Sequence, residues 1–411
     1  MRLSSVLWKQ HLGWMFKQKW KLKSKIKITD YGVPEDLKAL NVKIYDVLEV
    51  ARPKKKEIPK IEPPDPYKLN PYLIKGPGNP NWHDQYVFWF DRNSILIEGD
   101  KQGKVLTKTI GYEGFPSSLK NNVDDLSDLE IEDIVRHCVL ESTLWDGVQE
   151  KLPKRVDPER PTWNFRREFG ISHNRKILNL LTRLLHLCER ISVRKNNNIF
   201  RMQIIDPKVK LRLNIYDDPV IFEAVNNPLE SPDILLCSDK PLPLLFNKEE
   251  VQMTINEEFP DLYPLKPVIS LEKVNIFTDE NIYPLDKDQH PHTLFITHDS
   301  LEEWSTSQKF ARALGLTFAY AASHAQLLYG ENVKELPTPI VIQSVWVDNG
   351  CLGFLSFQLN TLDLNSKDGI KNQLYQAGPF NLYDESNLKN GLSGFNSEAF
   401  VKMLAMYMNG M

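Results

Sequence analysis

The stretch from Gln308 to Leu364 constrains the fold more than any other part of this 411-residue chain. Ala311, Gly315, Ala319 and Ser323 recur every fourth residue, so a helix through them carries a stripe without bulk along one face. Glycine inside a helix costs about 1 kcal/mol relative to alanine, so Gly315 predicts that another backbone comes close there. Phe310, Leu314, Phe318, Leu327 and Leu328 supply the apolar remainder, and Gly330 marks the C-terminal stop. Two apolar runs follow, Ile340 to Val347 and Cys351 to Leu359, on either side of Asp348-Asn349-Gly350. Asn-Gly between such runs predicts a tight hairpin. With Asn349 and Gly350 at the turn, Trp346 faces Gly353 and fills the space that a side chain there would have taken. A helix and hairpin this apolar form a core. They carry no reactive constellation.

Around that core, the body begins near Asp84. Tyr86 to Phe90, Ser94 to Glu98 and Val105 to Thr109 read as short strands, with turns at Asp91–Asn93 and Asp100–Gly103. Asp128 to Val148 reads as a helix with Ile131, Ile134, Val135, Cys138 and Val139 inward, and Arg175 to Ile191 as a second, built on Ile177, Leu181, Leu184 and Cys188. Ile199 to Ile205 and Lys210 to Ile215 read as a hairpin across Asp206-Pro207. Loops fill much of Asp217 to Asp239. Val251 to Ile255, Val268 to Glu272 and His292 to Ile296 are further strand candidates, and Ser397 to Met408 is a closing helix. Strands and helices without a regular βαβ rhythm predict an α+β fold with a mixed, mainly antiparallel sheet.

Two segments precede the body. Residues 1–29 hold Arg2, seven lysines and no acid, with Leu3, Val6, Leu7 and Trp14 on one helical face. This is either a mitochondrial presequence or a basic amphipathic arm retained in the mature protein. Residues 30–83 form a basic extension, in which eight prolines lie between Arg52 and Pro80. Proline fixes φ and removes a donor, so this segment is extended and irregular. Its Tyr67, Tyr72 and Trp82 predict order against a surface rather than a free linker. Residues 84–411 are the body, as one unit or as two lobes, 84–230 and 231–411.

A net charge of −3 hides strong segregation. Residues 1–80 carry +9, 81–150 carry −8, 151–212 carry +11 and the remainder −15. Two basic blocks on an acidic chain predict polyanion contacts at the blocks and protein contacts elsewhere. The first block holds Lys54, Lys55, Lys56 and Lys60; the second holds Lys154, Arg155, Arg160, Trp163, Phe165, Arg166, Arg167, Arg175 and Lys176. Guanidinium interleaved with aromatic rings suits stacking on unpaired bases and pairing with phosphate. The same residues also fit a solvated helix face with ring-anchored loops.

Catalytic signatures do not assemble. No G-x-G-x-x-G or G-x-x-x-x-G-K-[ST] occurs, and Gly391-Leu-Ser393-Gly394 is not a nucleophile elbow. His290, His292 and His298 cluster without a Cys or HExxH partner, so neither a metal nor a cofactor is expected. His137, His186 and His324 read as core-edge residues. Cys138, Cys188, Cys237 and Cys351 are scattered in helix or strand stretches and read as buried free thiols. With no N-x-S/T sequon, they favour a reducing compartment. No run approaches the ~18 apolar residues of a membrane span.

The core stretch also carries a family likeness. Ala325-Gln-Leu-Leu-Tyr-Gly330, Pro339-Ile-Val-Ile-Gln-Ser-Val345, Phe357-Gln-Leu-Asn-Thr361 with Asp363-Leu364, and Gly369-Ile-Lys-Asn372 closely resemble the mitochondrial large-subunit ribosomal protein thirty-seven family. Fainter likeness lies at Ala51-Arg-Pro53, Leu96 to Gly99, Leu106-Thr-Lys-Thr109, His292-Thr-Leu294 and the closing helix. The resemblance implies a non-enzymatic component of the mitochondrial large ribosomal subunit, in the matrix. Its implied partners are mitochondrial rRNA, neighbouring subunit proteins and a related sister subunit historically named as a programmed-cell-death protein. It offers no catalytic motif to carry over. A matrix RNA-binding or ribosome-assembly factor, and an enzyme built from distant residues, are the rival readings.

Overall fold

The computed structural model describes residues 32–43, 45, 50, 70–127, 131–154, 157–194, 201–225, 232–298, 304–387 and 391–410. The chain divides into two compact units, Met1–Asp65 and Pro66–Met411. The described part of the first contains one short exposed helix, α1 (Glu35–Ala39).

In chain order, the second unit runs β1 (Trp82–Phe90), α2 (Asp100–Leu106), β2 (Thr109–Glu113), α3 (Ser117–Ser127), α4 (Glu132–Leu144), β3 (Glu150–Lys151), β4 (Phe169–Gly170) and α5 (His173–Arg194). Then come β5 (Met202–Ile205), β6 (Val209–Ile215), β7 (Asp218–Ala224), β8 (Ile234–Ser238), α6 (Lys248–Met253), β9 (Glu272–Ile276) and β10 (His290–Thr297). The chain closes with α7 (Thr306–Tyr329), β11 (Glu335–Asp348), β12 (Cys351–Thr361), β13 (Asn372–Asn381), β14 (Glu385–Asn387), β15 (Gly391–Ser393) and α8 (Glu398–Tyr407).

Two mixed, mainly antiparallel sheets make this an α+β fold. One has seven strands in the order β2-β13-β12-β11-β10-β8-β5, the other four in the order β6-β7-β1-β9. Helix α7 lies between them, which is why every residue from Phe310 to Ala325 is buried. One side of the large sheet gives Leu294, Ile342, Trp346 and Phe357 to this cluster. The opposite side gives Phe295, Val345, Val347 and Phe354 to a second cluster with α4, α5 and α8. Burial on both faces explains why these strands read as continuous apolar runs instead of alternating ones.

The central hairpin follows its sequence closely. Asn349 and Gly350 have φ of 42° and 88°, as a type I′ turn requires, and Trp346 pairs with Gly353. A Cβ on Gly353 would collide with the Trp346 indole. The helix before it opens with a capping box, Ser305 with Gln308, and ends at Gly330 with φ 92°.

The close approach at Gly315 is of a different kind from the backbone expected. A Cβ there would strike the ring of Phe90 on β1. The backbone contact lies one turn earlier, where a Cβ on Gly103 of α2 would sit 3.3 Å from Ala311 Cα. Gly315→Leu should therefore cost about 2–3 kcal/mol by forcing the Phe90 ring out of its place. A thermal melt unchanged from wild type would refute this.

Several other elements differ from their sequence reading. Asp100–Gly103 and Val105 belong to helix α2, and Ser94 to Glu98 is irregular. Val251 to Ile255 is helical because Asn247 and Glu250 form a capping box ahead of it. The proposed hairpin across Asp206-Pro207 does not form: β5 pairs with β8 in the large sheet, while β6 pairs with β7 in the small one. The stretch read as loops between Asp217 and Asp239 contains β7 and β8, α3 had no counterpart, and only Glu272 of Val268–Glu272 is in a strand. On α4, Ile134 is exposed and Cys138 half-buried. All four cysteines are free, Cys188 and Cys237 buried and Cys138 and Cys351 half-buried.

Candidate nucleic-acid interface

The second basic block is built as a loop with a pinched base. After α4 the chain leaves the body, and β3 and β4 pair antiparallel, Glu150 with Gly170 and Lys151 with Phe169. The Leu152 amide donates to Glu168 O at 2.9 Å, adding one rung. Between them, Asp157 Oδ1 accepts from the Glu159 amide at 3.1 Å, the Arg160 amide donates to Asp157 O, and the Trp163 amide donates to Arg160 O. These two consecutive turns, with Pro153, Pro158 and Pro161 restricting φ, give the loop a defined course without helix or sheet. Lys154 Nζ crosses it to donate to Asn164 Oδ1 at 3.0 Å.

The loop presents its rings and guanidinium groups outward. Trp163 is 62% exposed, and its ring centroid lies 6.5 Å from that of half-buried Phe165. Arg160, Arg166 and Arg167 are exposed, and among the described residues none of the three is paired with a carboxylate. Asp157, Glu159 and Glu168 are interspersed, so the positive surface is local to the Arg160–Arg167 face. Lys54, Lys55, Lys56, Lys60 and Arg155 lie outside the described residues.

Arg175 has a different task. Its Nε and Nη2 donate to both oxygens of Asp146, at 2.8 and 3.0 Å, and Asn179 Nδ2 donates to Oδ2 at 2.8 Å. A bidentate pair of this kind fixes geometry, and here it ties the start of α5 to the chain leaving α4. Lys176 is half-buried on the same helix. The Arg175 hydrogen bond, with those from the Val148 amide and Asn179, holds the Asp146 carboxyl well below the usual carboxylate range. A depressed pKa contributes stability above the unfolded value, and that contribution is lost as pH falls through the folded one. Exchange protection of the Leu152 amide should hold from pH 7 to about 4 and decline only below that; protection already lost at pH 5 would contradict the clamp.

Sequence reasoning missed three neighbours: Trp145, 70% exposed just after α4, together with Val148 and Phe169. Exposure of rings in strand-like or helix-like contexts leaves no signal in the sequence.

Three of the histidines, His292, His298 and His324, are buried. His292 Nε2 meets Asn409 O at 3.0 Å and Nδ1 meets Thr293 Oγ1 at 2.8 Å, with burial pushing its pKa down to about 3. Buried His298 packs edge-on against Trp304 at 4.9 Å. His324 is buried in the core, whereas His137 and His186 are exposed. Among the described residues no group of three His, Cys, Asp or Glu could hold a metal. An open cleft of about 500 Å3 is lined by Arg212, Asp279, Asn281, Gln326 and Lys334, with Arg212 already paired to Asp279.

Large ribosomal subunit protein mL37 of Gallus gallus is 29% identical over 77% of this chain and 72% of its own length. The rat protein is 27% identical over 80% of this chain and 77% of its own length, and the Bos taurus protein 28% over 86% and 82%. The chain resembles the mL37 family. Residues 295–410 also match the family described as mitochondrial 28S ribosomal protein S30 (PDCD9). The two descriptions name different subunits. The second match runs only from the end of β10 to α8, the segment that holds the core helix and hairpin, whereas likeness to mL37 covers about four-fifths of the chain.

Proposed function

We infer that this chain is a structural, non-enzymatic component of the large subunit of the mitochondrial ribosome, residing in the matrix. The observation that carries this reading is 27–29% identity with mL37 proteins over 77–86% of the chain. Among the described residues no helix is long and apolar enough to cross a membrane.

Its proposed partners are mitochondrial rRNA and neighbouring large-subunit proteins, a related sister subunit foremost. Lys54, Lys55, Lys56, Lys60, Lys154, Arg155 and the Arg160–Arg167 loop are the proposed RNA contacts. The exposed Trp163 ring, beside guanidinium groups that pair with no carboxylate among the described residues, supports the loop's assignment. Sedimentation in high-salt sucrose gradients tests the reading: stoichiometric co-migration with the large subunit is expected, and release from it points to an assembly factor. Crosslinks to rRNA should map to the two basic blocks, and crosslinks confined to the acidic last third would refute the contacts. Arg166→Gln with Arg167→Gln should reduce the salt slope for single-stranded RNA by roughly 1.4, at about 0.7 per phosphate contact. Trp163→Ala should remove about 1–3 kcal/mol of stacking. Unchanged affinity and slope would exclude the loop.

A further inference from the structure

The four-stranded sheet turns one face to α7 and the other away from it. One end of the outer face is covered. Phe277 packs over Val87 and Ile221, and its ring stacks on His83 at 4.0 Å. Lys210 donates to Thr278 Oγ1 at 2.6 Å, and Arg212 pairs with Asp279. The other end is open, a groove of about 440 Å3 walled by Trp89, Val225 and Val274 and bordered by edge strand β9.

The charged residues that line this groove, Asp91, Glu223 and Glu272, are all acidic. Strands β1 and β7 run parallel, pairing Trp89 with Ile221 and Phe90 with Phe222, so Asp91 and Glu223 fall side by side at the next step. Glu272 sits across from Trp89 on β9. Like charges directly opposite one another destabilise a sheet. Lys210 is the cross-strand neighbour of Glu223, but its amine is engaged with Thr278. Glu223 Oε2 is shielded from solvent and has no hydrogen-bond partner among the described residues. Burial, with Asp91 adding to it, raises the Glu223 pKa despite the nearby Lys210.

We propose that this groove docks an extended segment of a partner protein through an arginine or lysine side chain, laid beside Trp89 and paired with Glu223 and Asp91. Each wall fits that occupant. An indole face attracts a cation, a planar guanidinium bonds two carboxylates at once, and Val225 and Val274 suit the apolar neighbours of such a residue. Lys210 Nζ, 5.8 Å from the Trp89 centroid, shows a cation already near that ring. Three carboxylates make the groove unsuited to nucleic acid, so this surface complements the basic loop. The site goes beyond the ribosomal reading and does not require it.

Calorimetry on the isolated full-length chain tests the proposal, with the capped peptide Gly-Val-Arg-Val-Gly and its citrulline counterpart as probes. The arginine peptide should bind at least about tenfold more tightly, because citrulline keeps the shape without the charge. Glu223→Gln should lower arginine-peptide binding about tenfold while melting no lower than wild type, since it removes an unpaired carboxylate. Glu249→Gln, the same charge change on α6, should leave binding unaltered. If Glu223→Gln proves less stable, Glu272→Gln at the exposed rim provides the same comparison. Equal binding of the two peptides, no binding to the wild type, displacement of the peptide by single-stranded RNA, or an equal loss in Glu249→Gln would overturn the proposal.

Discussion

Asp233→Ala is expected to destabilise the second unit by about 3–5 kcal/mol, the loss typical when one partner of a buried ion pair is removed. Asp233 Oδ1 accepts from the Thr297 amide at 2.9 Å and faces Arg92 Nη2 at 3.5 Å. Arg92 donates to Thr297 O at 2.6 Å, and Arg312 Nη2 donates to the same carbonyl at 3.1 Å. Both guanidinium groups are almost fully buried. The cluster joins the turn that follows β1, the entrance to β8, the end of β10 and the buried flank of α7. Removing the carboxylate therefore takes a buried charge partner from Arg92 and an acceptor from the Thr297 strand amide. Asp233→Asn keeps the amide acceptor and loses only the charge, so it should fall between. Denaturant titrations at pH 7 measure the series; an Asp233→Ala midpoint equal to wild type would exclude this account.

Trp346→Ala should cost a similar amount, about 3–5 kcal/mol, as expected for truncating a fully buried tryptophan. The indole is edge-on to Phe310 at 5.5 Å and fills the volume above Gly353. Gly353→Val presents the same fault from the other strand, as overpacking instead of a void, and should cost about 1–3 kcal/mol. The two faults are complementary. Trp346→Leu combined with Gly353→Val should thus be more stable than the sum of the separate losses predicts, by at least about 0.5 kcal/mol. Strict additivity would show that the two positions do not share the space.

The parts of this fold that could be read from sequence are those specified locally. The hairpin needed only Asn349-Gly350 between apolar runs, and α7 needed only its spacing and Gly330. The α6 helix is equally legible, since Asn247 and Glu250 stand three apart, although Val251, Met253 and Ile255 alternate as a strand's apolar residues would. What could not be read is set by distant pairing. Met202–Ile205 and Val209–Ile215 are separated by three residues and join different sheets, a choice decided by β8 and β7. In the candidate interface, Arg160, Trp163, Arg166 and Arg167 were legible as an alternation of rings and guanidinium groups. Arg175 looked the same in sequence, but its partner Asp146 lies 29 residues earlier. The Glu223 groove was invisible for the same reason: its carboxylates come from three separated strands.

The position of α7 has a consequence for how the chain is made. Four strands of the small sheet lie before residue 277, and the helix that shields their inner face does not begin until Thr306. A chain emerging N-terminus first, from a synthesising ribosome or through a translocation pore, therefore presents Phe90, Leu211 and Phe222 uncovered until residue 329 is out. During that interval the half-finished sheet is a sticky surface, and holdase chaperones should associate with it until the helix arrives. A chain truncated at residue 300 should remain chaperone-bound, whereas one ending at residue 365 should be released.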